Sequence, residues 1–363
     1  MGLARRNVEE IRPYVPGKPV EEVRRELDLS GDIIKLASNE NPLGPSPLAI
    51  KAMRKALKKT HSYPEDGAYY LTRALARRHG VGEDQILIAN GSVEVMYYLT
   101  TAFANPGESV AMNDQAFILY RIVTKVADAR RIAPPLKNYT HDLAAIALAI
   151  EPDTKVVFIA NPNNPTGTMN TQKEAEEFMA VVPPNVIVVW DEAYREYIDR
   201  PDYPDTMRYI REGRNVIILR TFSKIFGLAG LRVGYAIGKP EIIAALRKVR
   251  VPFNVNTLGQ EGCLAALDDE AHIQRSKAMN AEGREFLYKA FDRLGLFHVP
   301  SVANFVYVDV GRDSLPVFQA LQREGVIIRP IKEYDFPNSF RASVGTPRHN
   351  RKLIRALKKV LKG

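Results

Sequence analysis

The sequence predicts an α/β protein: a large domain on a mainly parallel sheet, then a smaller α+β domain at the C-terminal end. Three observations carry this. Between about 49 and 255, short β-branched apolar runs alternate with amphipathic stretches of helical period, which is the pattern of βαβ units. After Val251–Asn256 the alternation stops, and two helical stretches precede short strands. The 363 residues suffice for two cores.

Residues 1–48 read as an N-terminal arm. Ile11–Pro19 is punctuated by proline and extended. Glu21–Leu29 has the spacing of a short amphipathic helix, and Ala37–Pro47 is dense in turn residues. Such an arm gains little alone and is expected to lie across another surface, a partner subunit being one candidate.

In the 49–255 domain, the periodicity predicts helices over Leu48–Lys59, Tyr69–Arg78, Val93–Phe103, Phe117–Val126, Leu143–Ile150, Gln172–Val182 and Pro240–Val249. Apolar runs predict strands over Gln85–Ala89, Ser109–Asn113, Ala129–Ala133, Lys155–Ala160, Asn185–Trp190, Val216–Arg220 and Arg232–Ile237. The 256–363 domain should hold helices at Leu258–Leu267, Ala271–Leu294 and Pro347–Leu361. Its strands should be Asn304–Val310, Gly325–Arg329 and Phe340–Val344.

In parallel sheets ligands bind beyond the carboxyl ends of the strands. Four strand ends here carry chemistry. After Gln85–Ala89 come Asn90, Gly91, Ser92 and Val93, a tight turn into a helix whose free N–H groups make an anion site. After Lys155–Ala160 comes Asn164 in a proline-rich turn. Asn185–Trp190 is followed by Asp191, Glu192, Ala193 and Tyr194. After Val216–Arg220 come Thr221, Ser223 and Lys224, with Arg232 eight residues beyond the lysine. A lysine in so cramped a place loses hydration, which lowers its pKa and makes it a better nucleophile toward an aldehyde. Hydroxyls and an arginine beside it suit a phosphate. An amine next to a phosphate cradle is what pyridoxal 5′-phosphate (PLP) requires.

Bulk properties exclude other classes. Hydrophobic content is 45% and no apolar run approaches a membrane span, so no membrane partner is expected. The N-terminus lacks an apolar leader segment, and Arg6 breaks the myristoylation pattern. The single cysteine, Cys263, suits a reducing compartment, so the expected location is cytoplasmic. The net charge is +9, concentrated on Lys51–Lys59 and Arg348–Lys362, where apolar residues recur at helical spacing. These read as solvated helix faces, and no nucleic-acid partner is expected.

With these residues in place, the chain resembles fold-type I PLP-dependent aminotransferases, and within them histidinol-phosphate aminotransferases. The resemblance runs from Arg12-Pro-Tyr14 to Arg341…Gly345-Thr-Pro347. It rests on Asn39-Glu-Asn-Pro42, Tyr63-Pro-Glu-Asp-Gly67, Asn164-Pro-Thr-Gly167, Asp191-Glu-Ala-Tyr194, and Ser223-Lys224 followed by Gly230-Leu-Arg-Val-Gly234. It implies that Lys224 is the catalytic Schiff-base lysine and that Asp191 pairs with the pyridine nitrogen. Tyr194 and Asn164 would bond the ring oxygen, and Phe117 would stack on the ring. Ser92, Val93, Thr221, Ser223 and Arg232 would hold the phosphate. Tyr63 would reach it across a homodimer with shared active sites. Arg341 would grip the substrate carboxylate and Arg329 the substrate phosphate, with Asn39 and Tyr14 in the same pocket. The partners implied are a small-molecule amino donor and a 2-oxo acid. Aromatic amino-acid transamination and a PLP lyase activity on threonine phosphate remain open alternatives. The chain departs from the family at Val93, where Asp or Asn is usual, at Arg195, and at Asn113-Asp-Gln115, which replaces a proline-containing turn.

Overall fold

The computed structural model describes residues 2–362. Its main body is a seven-stranded sheet. The spatial order is Ile86–Ala89, Gly234–Gly238, Val216–Thr221, Ile187–Asp191, Thr154–Ala160, Ser109–Ala111, Arg130–Ile132. All neighbours are parallel except Gly234–Gly238, which runs against both of its own. Residues 222–233 separate that strand from Val216–Thr221, and their only helical piece is the single turn Ala229–Leu231. A connection so short leaves no room for a crossover helix, so the chain must return antiparallel.

Strand alternation explains the two-sided core. In Thr154–Ala160, Val157 and Ile159 point to one face and Val156 and Phe158 to the other, all fully buried. Leu71, Leu75, Phe178 and Met179 cover the first face from helices Tyr69–His79 and Gln172–Val181. Val95, Met96, Leu99, Tyr120, Ile243 and Leu246 cover the second from helices Ser92–Phe103, Leu119–Val126 and Pro240–Val249. Burying each such side chain contributes about 1.5–3 kcal/mol, so both faces of the central strands are strongly held.

The C-terminal part has an antiparallel sheet in the order Arg329–Ile331, Phe336–Ser343, Phe305–Asp309, Phe297–Val299. Helices Glu270–Arg293, Ser314–Arg323 and Pro347–Lys362 accompany it. The expected strand Gly325–Arg329 divides. Val326–Ile327 pairs in parallel with Ile34–Lys35 of the arm, while Arg329–Ile331 turns into the larger sheet. The helix Ser314–Arg323 and the strand Phe297–Val299 had no counterpart in the sequence reading. The helix has Val317, Phe318 and Leu321 at helical spacing and a cap from Asp313, but Pro316 in its first turn reads as a break; the strand is only three residues long.

The arm lies across this same chain. Asn7 Nδ2 caps the end of helix Leu119–Val126 by donating to the Lys125 carbonyl at 2.8 Å. Val23, Ile33 and Ala37 bury against Ile327. The basic residues Lys51, Arg54, Lys55, Lys58, Lys59, Arg351, Arg355 and Lys358 are exposed on their helices, whose apolar residues Ala49, Ala56, Leu353 and Leu357 face inward. Among the described residues, no helix is long and apolar enough to cross a membrane.

Candidate active site

The strand ends converge. Ala160, Asp191 and Thr221 close three adjacent parallel strands, and the turn after Ala89 opens helix Ser92–Phe103 beside them. They form one wall of a cavity of about 180 Å³. Arm residues Tyr14, Ser38 and Asn39, with Arg329, Tyr334 and Arg341 of the C-terminal part, form the other. Fourteen of the fifteen residues expected at the site line it; Tyr63 alone does not.

One end of the cavity is built for an anion. Gly91 adopts φ +87° before helix Ser92–Phe103, and no side chain caps that helix. Its first N–H groups are therefore available to an anionic ligand. Arg232, itself at φ +56°, donates to Ser223 Oγ at 3.2 Å and to the Ala229 carbonyl at 3.1 Å. A Cβ on Gly91 would lie 2.5 Å from Arg232 Nη2, so only glycine lets the guanidinium reach the helix terminus. Thr221 Oγ1 donates to the Val233 carbonyl at 3.3 Å and accepts the Ser223 N–H at 3.1 Å. Hydroxyls, helix N–H groups and a guanidinium thus meet, as a phosphate monoester requires.

At the middle stand Asp191 and Lys224. Asp191 is buried at its strand end, and burial raises its pKa to about 6. It is held by the Tyr120 O–H at 2.7 Å and the Ala193 N–H at 3.2 Å. Tyr120 is fully buried and stacks on Phe158 at 4.7 Å, so it cannot swing away. Lys224 reaches the cavity from the turn after Thr221. Its Nζ donates to the Ser38 carbonyl at 3.2 Å and lies 5.5 Å from the Tyr194 ring centroid. Desolvation, then the charge of Arg341, lowers its pKa to about 8. Both shifts follow from burial disfavouring charge. Asn164 and Tyr194 flank this region. Burial pushes the Tyr194 phenol up to about 12, and its oxygen accepts from Asn39 Nδ2 at 3.0 Å.

The far end is cationic. Arg341 is buried, donates to Asn164 Oδ1 and to the Ala37 carbonyl (2.6 Å), and lies 5.3 Å from the Phe305 ring centroid. Its Nε is buried with no partner among the described residues. Arg329 donates to the Val15 carbonyl at 2.6 Å and pairs with Glu333 at 2.5 Å, with Tyr14 beneath it at 5.4 Å. Arg329 also borders a larger cleft of about 1030 Å³ under arm residues Glu10–Lys18. That cleft contains none of the strand-end groups, so size does not mark the chemistry here.

Other expectations resolve in detail. Phe117 lines the cavity from the turn before helix Leu119–Val126, not from within a helix, and meets Tyr120 edge-on at 5.7 Å. Val93 contributes its position at the helix start, and its side chain packs against the second face of the core. Asn39 lines the cavity, but its amide is engaged by Tyr194 and Ser343. Tyr63 is 82% exposed and stacks on Phe253 at 4.8 Å. Arg195 does not line the cavity; it lies over the Tyr203 ring at 4.7 Å. In the Asp191–Tyr194 turn, Glu192 faces away from the cavity and binds Arg220 at 2.7 Å. Ser38, Tyr120 and Tyr334 were not anticipated. Ser38 acts through its backbone, and Tyr120 and Tyr334 look like ordinary core aromatics in sequence. A signal existed only for Tyr120, three residues after Phe117 and so on the same side of a helical turn.

The sequence profile of the family described as "Aminotransferase class I and II" matches residues 31–357. The chain is 50% identical to a histidinol-phosphate aminotransferase of Moorella thermoacetica over 97% of this chain and 91% of that one. It is 45% identical to one of Symbiobacterium thermophilum over 99% of both. Its fold is similar to a crystal structure of histidinol-phosphate aminotransferase from Sinorhizobium meliloti in complex with pyridoxal-5′-phosphate, with TM-score 0.91 and 26% identity, covering 100% of this chain and 98% of that one. An aspartate aminotransferase of Thermus thermophilus at 22% identity and TM-score 0.85 shares the fold. Profile match, full-length relatives and strand-end geometry agree: the chain belongs to the class I and II aminotransferase family.

Proposed function

We propose that the chain is a PLP-dependent aminotransferase that interconverts histidinol phosphate and 2-oxoglutarate with imidazole-acetol phosphate and glutamate, running in histidine biosynthesis from imidazole-acetol phosphate and glutamate to histidinol phosphate and 2-oxoglutarate. One observation carries this. A single cavity joins an anion cradle, a buried carboxylate and a lysine of lowered pKa to two buried arginines at its other end. The names of the full-length relatives support the substrate.

Bound there, PLP supplies an aldehyde for the amine and an electron-accepting ring. The chain's residues do the rest. Ser92, Thr221, Ser223, Arg232 and the Val93 N–H would hold the phosphate. Asp191 would accept the pyridine N–H, with Tyr120 and Ala193 keeping its oxygens in place. Phe117 would cover one ring face, while Tyr194 and Asn164 would donate to the ring oxygen. Lys224, lowered to about 8, has a neutral fraction near neutral pH roughly two orders of magnitude above that of an ordinary lysine. A neutral amine there would be available to the cofactor's aldehyde, and Nζ would be the group to hold and move the substrate-carbon proton. Arg341 offers its unpaired Nε to the glutamate α-carboxylate, and Arg329, with five N–H groups, receives the substrate phosphate.

The same reading takes the chain as arm 1–48, cofactor domain 49–255 and small domain 256–363, working in the cytoplasm as a homodimer. The exposed Tyr63, which shares a surface groove with Tyr70, would enter the partner's site. The test is a half-reaction. PLP-loaded protein is mixed separately with L-histidinol phosphate, L-glutamate, L-phenylalanine and L-threonine phosphate, and the loss of the lysine-bound cofactor band is followed. Fast conversion by the first two is expected. Faster conversion by phenylalanine would make it an aromatic aminotransferase, and carbon dioxide from threonine phosphate without amino transfer would make it a lyase.

A further inference from the structure

On strand Phe336–Ser343, Arg341 and Ser343 are two residues apart and share a face. Arg341 lines the cavity; Ser343 stands behind it, buried. Ser343 grips Asn39 twice. The Asn39 backbone N–H donates to Ser343 Oγ at 2.8 Å, and the Ser343 O–H donates to Asn39 Oδ1 at 3.0 Å. Asn304 Nδ2 fixes the Asn39 carbonyl at 2.9 Å. Asn39 sits at φ +56°, a left-handed conformation that asparagine tolerates better than most residues.

These contacts decide which way hydrogen bonds run. With Oδ1 taken by the serine proton, the Asn39 amide presents its NH₂ group to Tyr194, and Nδ2 donates to the phenol oxygen at 3.0 Å. A phenol oxygen that receives a bond keeps its own O–H for another acceptor. A reversed amide would instead take the phenol's proton and leave the cavity facing a lone pair. The raised pKa of Tyr194 keeps that proton in place at neutral pH.

We propose that Ser343 is a positioning residue that, through the Asn39 amide, fixes Tyr194 as a hydrogen-bond donor into the cofactor cavity. This rests on the reading that Tyr194 bonds the ring oxygen of bound PLP. Without that donor the ring oxygen becomes more basic, and the proton it shares with the Lys224 nitrogen is held to higher pH. The readout is the substrate-free holoenzyme: the pH midpoint of the cofactor's absorbance change, with PLP affinity from equilibrium dialysis alongside.

Tyr194→Phe is expected to raise the midpoint most. Ser343→Ala should raise it by roughly half to one pH unit, the size of one hydrogen bond. Asn39→Asp should do the same, because a carboxylate has no N–H and draws the Tyr194 proton away from the cavity. Ser343→Thr keeps the hydroxyl and should retain the wild-type midpoint. Should Ser343→Ala fail to fold, the near-isosteric Asn39→Asp carries the test. If Tyr194→Phe moves the midpoint and neither Ser343→Ala nor Asn39→Asp does, the proposal is overturned while the role of Tyr194 stands. If Tyr194→Phe moves nothing, both fall.

Discussion

The two walls of the cavity hold their polar groups by different means. On the sheet side, Asp191, Thr221 and the turn at Gly91 extend directly from strands whose apolar residues are fully buried on both faces. Moving one of them means disturbing a core. On the other side, Arg329 and Arg341 are steadied by contacts to arm backbone, the carbonyls of Val15 and Ala37. Asn39, which donates to Tyr194, is itself held by Ser343 and Asn304. The sheet wall is rigid by construction, whereas the arm wall is a set of mutual hydrogen bonds across segments far apart in sequence. On the proposed assignment, the cofactor's groups lie on the first wall. Most of the substrate's would lie on the second, where exchangeable contacts would let a ligand replace a protein partner.

If that division is right, damage to each wall should read out differently. The largest effect is expected from Lys224→Ala, which should abolish the lysine-bound cofactor band and reduce the half-reaction with every donor to background. Persistence of the band would place the attachment elsewhere. Next comes the arm wall. Arg341→Gln should lower kcat/KM for glutamate by roughly two to three orders of magnitude, the scale for losing a buried, charge-assisted contact. PLP affinity should stay near wild type; a parallel fall in both would merge the two walls into one.

A milder lesion of the sheet wall is Tyr120→Phe. It removes one hydrogen bond to the Asp191 carboxylate and no packing volume. A bond to a charged acceptor is worth about 1.5–3 kcal/mol, so PLP affinity should fall roughly tenfold or more, while the ratio of glutamate to histidinol phosphate turnover is unchanged. A changed ratio with intact affinity would contradict the assignment. The smallest effect concerns stability. Lys224 has its pKa lowered from 10.5 to about 8. The folded apo chain therefore binds fewer protons than the unfolded one between these values, and stability from this group rises with pH across that window. Below pH 8 its burial is a full penalty. Lys224→Met should accordingly raise the apo Tm at pH 7, with an advantage that shrinks as pH climbs above 8. An advantage that grows instead would reverse the sign of the argument.

The same division governs what could be read from sequence. Asp191, Asn164 and Lys224 were legible because each lies within about one turn of the end of a β-branched apolar run, and a parallel sheet brings such positions together whatever the rest of the chain does. The two-sided burial that fixes those strands is likewise written in their uninterrupted apolar residues. Ser38 was not legible, since a backbone carbonyl leaves no mark in composition. Tyr334 was not either, because it reaches the cavity only after the strand Arg329–Ile331 splits away from Val326–Ile327. The antiparallel Gly234–Gly238 strand has a conventional apolar sequence, and its direction is set by the short connection before it. Arg329 and Arg341 were singled out through resemblance to a family, because nothing local in the sequence distinguishes a cavity-lining arginine from a structural one.

Arg329 is thus the residue on which the substrate assignment turns, and the decisive measurement is kcat/KM for Arg329→Gln holoenzyme with L-histidinol phosphate and with L-phenylalanine, which lacks a distal anion. The account predicts a fall of roughly a hundredfold or more for histidinol phosphate and little change for phenylalanine. An equal fall for both donors would reduce Arg329 to a strut between Val15 and Glu333, and the phosphate would have to be recognised elsewhere.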